Sequence, residues 1–300
     1  MKSQHTLTTT RLIKLTVLAT SIAVSNAWSA PVVFNGSGAG ATTALDAFRS
    51  AIGGVKNTAA AAQVGGRREI NWDGVKLDGT DVSPSTAVVD NGKTVIIGVD
   101  RFKAQGTLFA DPYAVSGDGF GSVNSGSAGQ FSPFSPKNVF AMQDANAGQF
   151  DDRFIGESFV LAGSATTAGT RGFGAIFSDV EIAGSSSIEY FGSDKSGNDV
   201  SLGVFFVPIG ADGTSQFLGV LFDNPIITRV DLTVGSKALF SFDGTSIQSF
   251  GSEALARGID LAVNDDFIFA EPTQAATVPI SGTLGLFLAG FPLLRRRVAV

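Results

Sequence analysis

Between Glu157 and Pro272 the chain repeats one pattern: a short run rich in Phe, Val, Ile and Leu, closed by Gly, Asp, Ser, Asn or Pro. The runs are "ESFVLA" (157–162), "GFGAIFSDVEI" (172–182), "SSIEYFG" (186–192), "SLGVFFVP" (201–208), "QFLGVLFD" (216–223), "ITRVDLTVG" (227–235), "KALFSFD" (237–243) and "GIDLAVNDDFIFAEP" (258–272). Runs of this length at near-regular spacing predict the strands of an antiparallel sandwich or barrel. "GSDKSGND" and "GADGTS" read as hairpin loops. Phe173, Phe177, Phe191, Phe205, Phe217, Phe222, Phe267 and Phe269 are expected to fill the space between the sheets. Burying each contributes roughly 1.5–3 kcal/mol. That contribution matters because the chain has no cysteine and cannot be held by disulfides.

The earlier half is less regular. "ATTALDAFRSAI" (41–52) places Leu45, Phe48 and Ile52 at helical spacing, with Thr42 or Thr43 to cap it and Gly53-Gly54 to end it. "TVIIGVD" (94–100) reads as a strand. Ser116 to Lys137 is Gly/Ser/Pro-rich and far longer than a usual connection, so a mobile loop or short irregular strands are expected there. In "GGRREINWDGV" (65–75), Arg67, Arg68, Glu69 and Asp73 surround Trp72. Two readings stay open: a ligand pocket contacted by Trp72, Arg67 and Asp73, or a buried Trp plug with an Arg–Asp pair fixing a loop.

Both ends are apolar and basic. Lys2, Arg11 and Lys14 precede the apolar stretch Leu15 to Val24, and Ser25-Asn26-Ala27 is a small-x-small cleavage site. This is the pattern of an export signal over residues 1–27. At the other end, Ile280 to Leu294 is apolar and is followed by Arg295, Arg296 and Arg297. As a helix it spans about 22 Å, short of a hydrocarbon core of about 30 Å. Its arginines suit the cytoplasmic headgroups, so the tail reads either as a permanent anchor or as a short removable stop in transient contact with the membrane. All 27 acids lie between these ends, with 15 of the 21 bases. An acidic body of this kind is repelled by nucleic acid and by anionic lipid.

The tail resembles the bacterial PEP-CTERM sorting signal: a Val278-Pro279 start, a short Leu/Gly/Ala helix and a terminal arginine cluster. It departs from the usual Pro-Glu-Pro, having Pro279-Ile280-Ser281 in its place. The resemblance implies a sorting protease or transpeptidase of the inner membrane (an exosortase) as partner, and a final place at the cell surface or in the exopolysaccharide matrix. The order of the strand-like runs resembles the jelly-roll, lectin-like domains found ahead of such tails. That resemblance implies a structural Ca²⁺ between the first and last strands, and it nominates Asp152, Asp179 and Asp266 as ligands. Hard carboxylates suit Ca²⁺ in an external compartment.

The expected fold is mainly β: an antiparallel, jelly-roll-like β-sandwich with a short N-terminal helix and long Gly-rich loops. The expected organisation is a signal peptide (1–27), an N-terminal part with the helix and first strands (28–150), the sandwich core (151–272), a linker (273–277) and the sorting segment (278–300). The lone histidine, His5, falls in the signal peptide. Cleavage leaves neither His nor Cys, which removes Ser-His-Asp and Cys-His triads and the usual Zn, Cu and haem sites. No GxSxG occurs, and "NGSGAGAT" (35–42) lacks the Lys-Ser/Thr of a phosphate loop. What remains is an exported, non-enzymatic surface or matrix protein. The alternatives are a carbohydrate-binding module, with Trp28, Trp72, Tyr113 and Tyr190 as stacking platforms, or a glycosidase using paired carboxylates.

Overall fold

A computed structural model of the chain describes residues 29–81, 87–142 and 153–278. In chain order the elements are β1 (Val32–Ser37), α1 (Ala39–Ile52), β2 (Arg67–Ile70), β3 (Ala87–Asp90), β4 (Thr94–Ile97), β5 (Thr107–Phe109), β6 (Tyr113–Ser116), β7 (Val139–Met142), β8 (Phe154–Phe159) and β9 (Gly172–Ser178). They continue with β10 (Ser187–Ser193), β11 (Asp199–Phe206), β12 (Ser215–Leu221), β13 (Arg229–Thr233), β14 (Phe240–Phe242), β15 (Ile247–Ser249) and β16 (Val263–Ala270). One sheet runs β1-β12-β9-β16-β7-β6-β4-β3, with β2 also on β16. The second runs β11-β10-β13-β8-β5, and β14 pairs with β15 alone. The strand pairs are antiparallel, as the sequence pattern predicts for a mainly β chain.

Eight of these strands nest. β10 pairs with β11, β9 with β12, β8 with β13 and β7 with β16. Successive nested pairs alternate between the two sheets, which is the connectivity of a jelly roll rolled from one long hairpin. The β14–β15 hairpin is an insertion before the last strand. The strands of residues 28–150 do not form a separate part: β1 extends the first sheet beside β12, β2 lies on β16, and β5 extends the second sheet beside β8. Segment 273–277 is likewise no free linker. Thr273 pairs with Gly169, the Ala276 amide donates to Pro225 O, and the Val278 amide donates to Ser193 O.

The main core lies between the sheets. Phe173, Phe177, Phe267 and Phe269 from one sheet meet Phe159 and Tyr190 from the other, with Phe222 at the margin. The first sheet is also covered on its outer face, in two places. Helix α1 lays Ala41, Leu45, Phe48 and Ile52 against Ile176, Phe217, Ile268 and Ala270. The Ser116–Lys137 stretch and the β14 hairpin cover Ile96, Ala114, Val139 and Val263 with Phe120, Phe131 and Phe240. Strands buried on both faces read as continuous apolar runs, which is why β9 and β16 are buried throughout.

Three expectations are corrected here. Phe217 faces α1 and not the inter-sheet space, because β12 turns its odd-numbered residues to the helix. Phe191 is half-buried, with the Arg229 guanidinium 3.9 Å over its ring. The helix starts at Ala39 behind Gly38, earlier than the Thr caps suggest. Gly174 and Gly219 face each other beneath α1. A Cβ on Gly219 would lie 2.8 Å from the Phe217 ring and 3.1 Å from Phe48, so the close helix-to-sheet approach requires glycine there.

One buried group titrates oddly. Glu157 on β8 is fully buried and neither carboxyl oxygen has a hydrogen-bond partner. Burial pushes its carboxyl up to about 8, with the nearby Thr107 hydroxyl offsetting only part of this. Between the ordinary carboxylate range and about 8, the unfolded chain releases this proton while the folded chain keeps it. Stability therefore falls as pH rises through that window, by about 1.4 kcal/mol per unit at most. Glu157→Gln is expected to flatten this dependence, with the gain over the natural residue growing from pH 5 to pH 8. Urea unfolding of both proteins across that range checks it, and parallel curves would contradict it.

Candidate metal centre

The loops at one end of the sandwich gather five carboxylates. Asp179 and Glu181 follow β9, Asp212 lies in the β11–β12 loop, and Glu253 and Asp260 precede β16. One carboxylate oxygen from each of Asp179, Glu181 and Asp212 lies within 4.8 Å of the other two; Glu181, Glu253 and Asp260 form a second such triad. Hydrogen bonds fix the buried Asp179 and Asp260 and the half-buried Glu253. Asp179 Oδ1 accepts from the Gly213 amide at 2.6 Å. Asp260 Oδ2 accepts from the Ile182 amide at 2.9 Å and Ser185 Oγ at 2.6 Å. Glu253 Oε2 accepts from Gln130 Nε2 at 3.0 Å and the Leu261 amide at 3.2 Å.

Asp179 and Asp260 are fully buried, yet Asp179 Oδ2 and Asp260 Oδ1 are without hydrogen-bond partners, as are both oxygens of Glu181. Among the described ion pairs, none involves any of the five. Burial, together with the neighbouring Asp179, Glu253 and Asp260, raises the Glu181 carboxyl well above the carboxylate range. Burial, with Asp179, Asp260 and Asp212, also raises Glu253. Asp179 has φ of 71°, an unusual backbone for a non-glycine residue. Such a cluster is neutralised either by shared protons or by a cation.

The two nominated ligands among the described residues, Asp179 and Asp266, do not converge. Asp179 belongs to the first triad. Asp266 sits instead at a bulge in β16, with Oδ2 3.9 Å from Arg49, and shares no triad with Asp179 among the described residues. Asp152 lies outside the described residues.

The reading of Trp72 as a ligand contact is overturned. Trp72 is fully buried, stacked on Phe140 at 4.2 Å and edge-on to Phe102, Tyr113 and Phe267. Its indole donates to Asp265 O at 2.7 Å. The expected Arg–Asp pair is absent among the described ion pairs around it. Arg67 Nε binds Glu69 at 2.8 Å, and Asp73 Oδ1 accepts from the Asn138 amide at 3.2 Å. Arg68 takes the structural role: it is fully buried and bidentate on Glu271, at 2.6 and 2.7 Å. A groove of about 310 Å³ opens beside that pair, lined by Gly53, Gly66, Arg171, Pro225 and Thr273. Its carboxylate, Glu271, is held by Arg68 and leaves the groove no acid/base pair.

Of the sorting residues, Val278 rests on the sandwich, whereas Pro279, Arg295, Arg296 and Arg297 lie outside the described residues. No described helix is long and apolar enough to cross a membrane. Comparison with family models, curated proteins and solved structures finds no significant match for the chain.

Proposed function

We propose that the chain is an exported, non-enzymatic surface or matrix protein: a jelly-roll body delivered by a signal peptide and sorted through its C-terminal segment. The observation that carries this reading over sugar binding is the burial of the aromatics. Trp72, Tyr113 and Tyr190 are all fully buried in the core. Sugar recognition by stacking needs exposed ring faces, and these three residues spend theirs on one another and on Phe neighbours. Trp28, the fourth platform, lies outside the described residues. Glycoside hydrolysis gains no support from the groove, whose acid is already paired.

The lectin-like alternative remains a separate reading, resting on the jelly-roll connectivity alone. Cell fractionation with a polysaccharide pull-down tests both. The expected result is protein outside the inner membrane, with no turnover of glycans and no saturable retention on them. Protein confined to the cytosol contradicts the export reading. Saturable glycan retention contradicts the preference for a scaffold.

A further inference from the structure

The five-carboxylate end of the sandwich carries more negative charge than its surroundings answer. We propose that it is a Ca²⁺ site centred on Glu181, with Asp179 and Asp212 as one set of ligands and Glu253 and Asp260 as the other. The proposal concerns the chain's own side chains and does not rest on the export reading.

Three observations lead to it. First, the geometry fits. Ca²⁺ binds oxygens at about 2.3–2.6 Å, so oxygens on opposite sides of one ion stand about 4.8 Å apart. In each triad one oxygen from every residue lies within 4.8 Å of the other two, so one donor per residue fits on one coordination sphere. Second, the donors are all carboxylates, which select a hard cation over zinc or copper. Third, the buried ligands are aimed and incomplete. Asp179 and Asp260 each use one oxygen to accept structural hydrogen bonds and leave the other buried without a partner. That pattern is how a ligating carboxylate is oriented by its surroundings. A surface cluster of solvated acids has no reason to bury oxygens it cannot satisfy.

A cation also explains how three separate loops come to one place. The segments carrying Asp179, Asp212 and Asp260 flank three neighbouring strands, β9, β12 and β16. Without a counter-charge their acids repel, and the loops are held together only by the core beneath. With Ca²⁺ bound to the folded chain alone, folding is stabilised by mass action.

The test uses the purified full-length chain, stripped with a chelator and then titrated with CaCl₂ or MgCl₂ while binding heat and thermal midpoint are followed. The proposal expects saturable Ca²⁺ binding, a rise in midpoint of several degrees, and a weaker response to Mg²⁺. Glu181→Gln belongs to both ligand sets, so it is expected to abolish the Ca²⁺ response while leaving the metal-free protein folded. Asp260→Asn is expected to weaken binding at least tenfold. Asp266→Asn, outside both sets, is expected to leave it unchanged. Superimposable melting curves with and without Ca²⁺, with no binding heat, would overturn the proposal in favour of proton sharing. An equal response to Mg²⁺ would overturn the assignment to Ca²⁺. Binding that survives Glu181→Gln would overturn the location.

Discussion

Replacing Trp72 with alanine is expected to destabilise the folded chain by about 3–5 kcal/mol. The indole is the hub of the aromatic cluster, touching rings from the 3₁₀ turn at Lys103, from β5, β6, β7 and β16. Truncation leaves a cavity that those rigid neighbours cannot close, and it removes the donor that satisfies Asp265 O. Trp72→Phe is expected to cost less, since it keeps the stack on Phe140 and loses the hydrogen bond and part of the volume. The shift in urea midpoint measures both. A cost below about 1 kcal/mol for the alanine variant falls outside the range for fully buried aromatics and would contradict the placement of Trp72 in the core.

The second large effect is expected at the Arg68–Glu271 pair. Glu271→Ala leaves a fully buried guanidinium without its carboxylate, and breaking such a pair typically costs about 3–5 kcal/mol. Glu271 does more than neutralise Arg68. It also accepts from Asn57 Nδ2 at 2.8 Å and the Gln63 amide at 2.9 Å. Arg68 in turn binds the carbonyls of Ala59 and Ala61 at 2.5 and 2.8 Å. The pair therefore pins the Asn57–Gln63 segment to the end of β16, and its loss is expected to expose that segment to proteases. Unfolding midpoint and limited proteolysis read the two consequences. A variant with unchanged midpoint and unchanged cleavage would show that the pair holds nothing.

The strands from β8 to β13 were legible because each is an alternating or fully apolar run closed by turn residues. Helix α1 was legible for the same reason at a period of 3.6. The short strands β1, β2, β3, β5, β6, β7 and β15 were not read as strands. They have three to six residues each, and the places of β1, β2 and β5 are set by pairing with strands far along the chain. β16 illustrates the limit of periodicity. Its bulge at Asp265 and Asp266 inserts one extra residue opposite β9, so Val263 points outward while Phe267 and Phe269 point into the core. No count along the sequence gives that inversion.

The acidic site was half legible. Asp179 and Glu181 stand just past a strand end as Asp-x-Glu, two acids close enough in sequence to mark the spot. Asp212 hid inside a hairpin loop, where acids are ordinary, and Glu253 in an irregular connection. Asp260 carried the clearest unused signal: a lone acid in the apolar run "GIDLAV", where a charge has to be answered by hydrogen bonds or by an ion. Of the two readings of Trp72, the buried plug is the one its packing agrees with. Arginines and acids beside a tryptophan suggest a pocket, but strand alternation buries Arg68 and Ile70 and sends Arg67 and Glu69 outward.

Export and sorting act on the two ends of the chain, and intact-mass measurement of the mature protein from fractionated cells tests both directly. The prediction is a polypeptide beginning at Trp28, recovered outside the inner membrane and lacking Arg295 to Arg297. A full 300-residue chain, uncut at both ends and recovered from the cytosol, would contradict it.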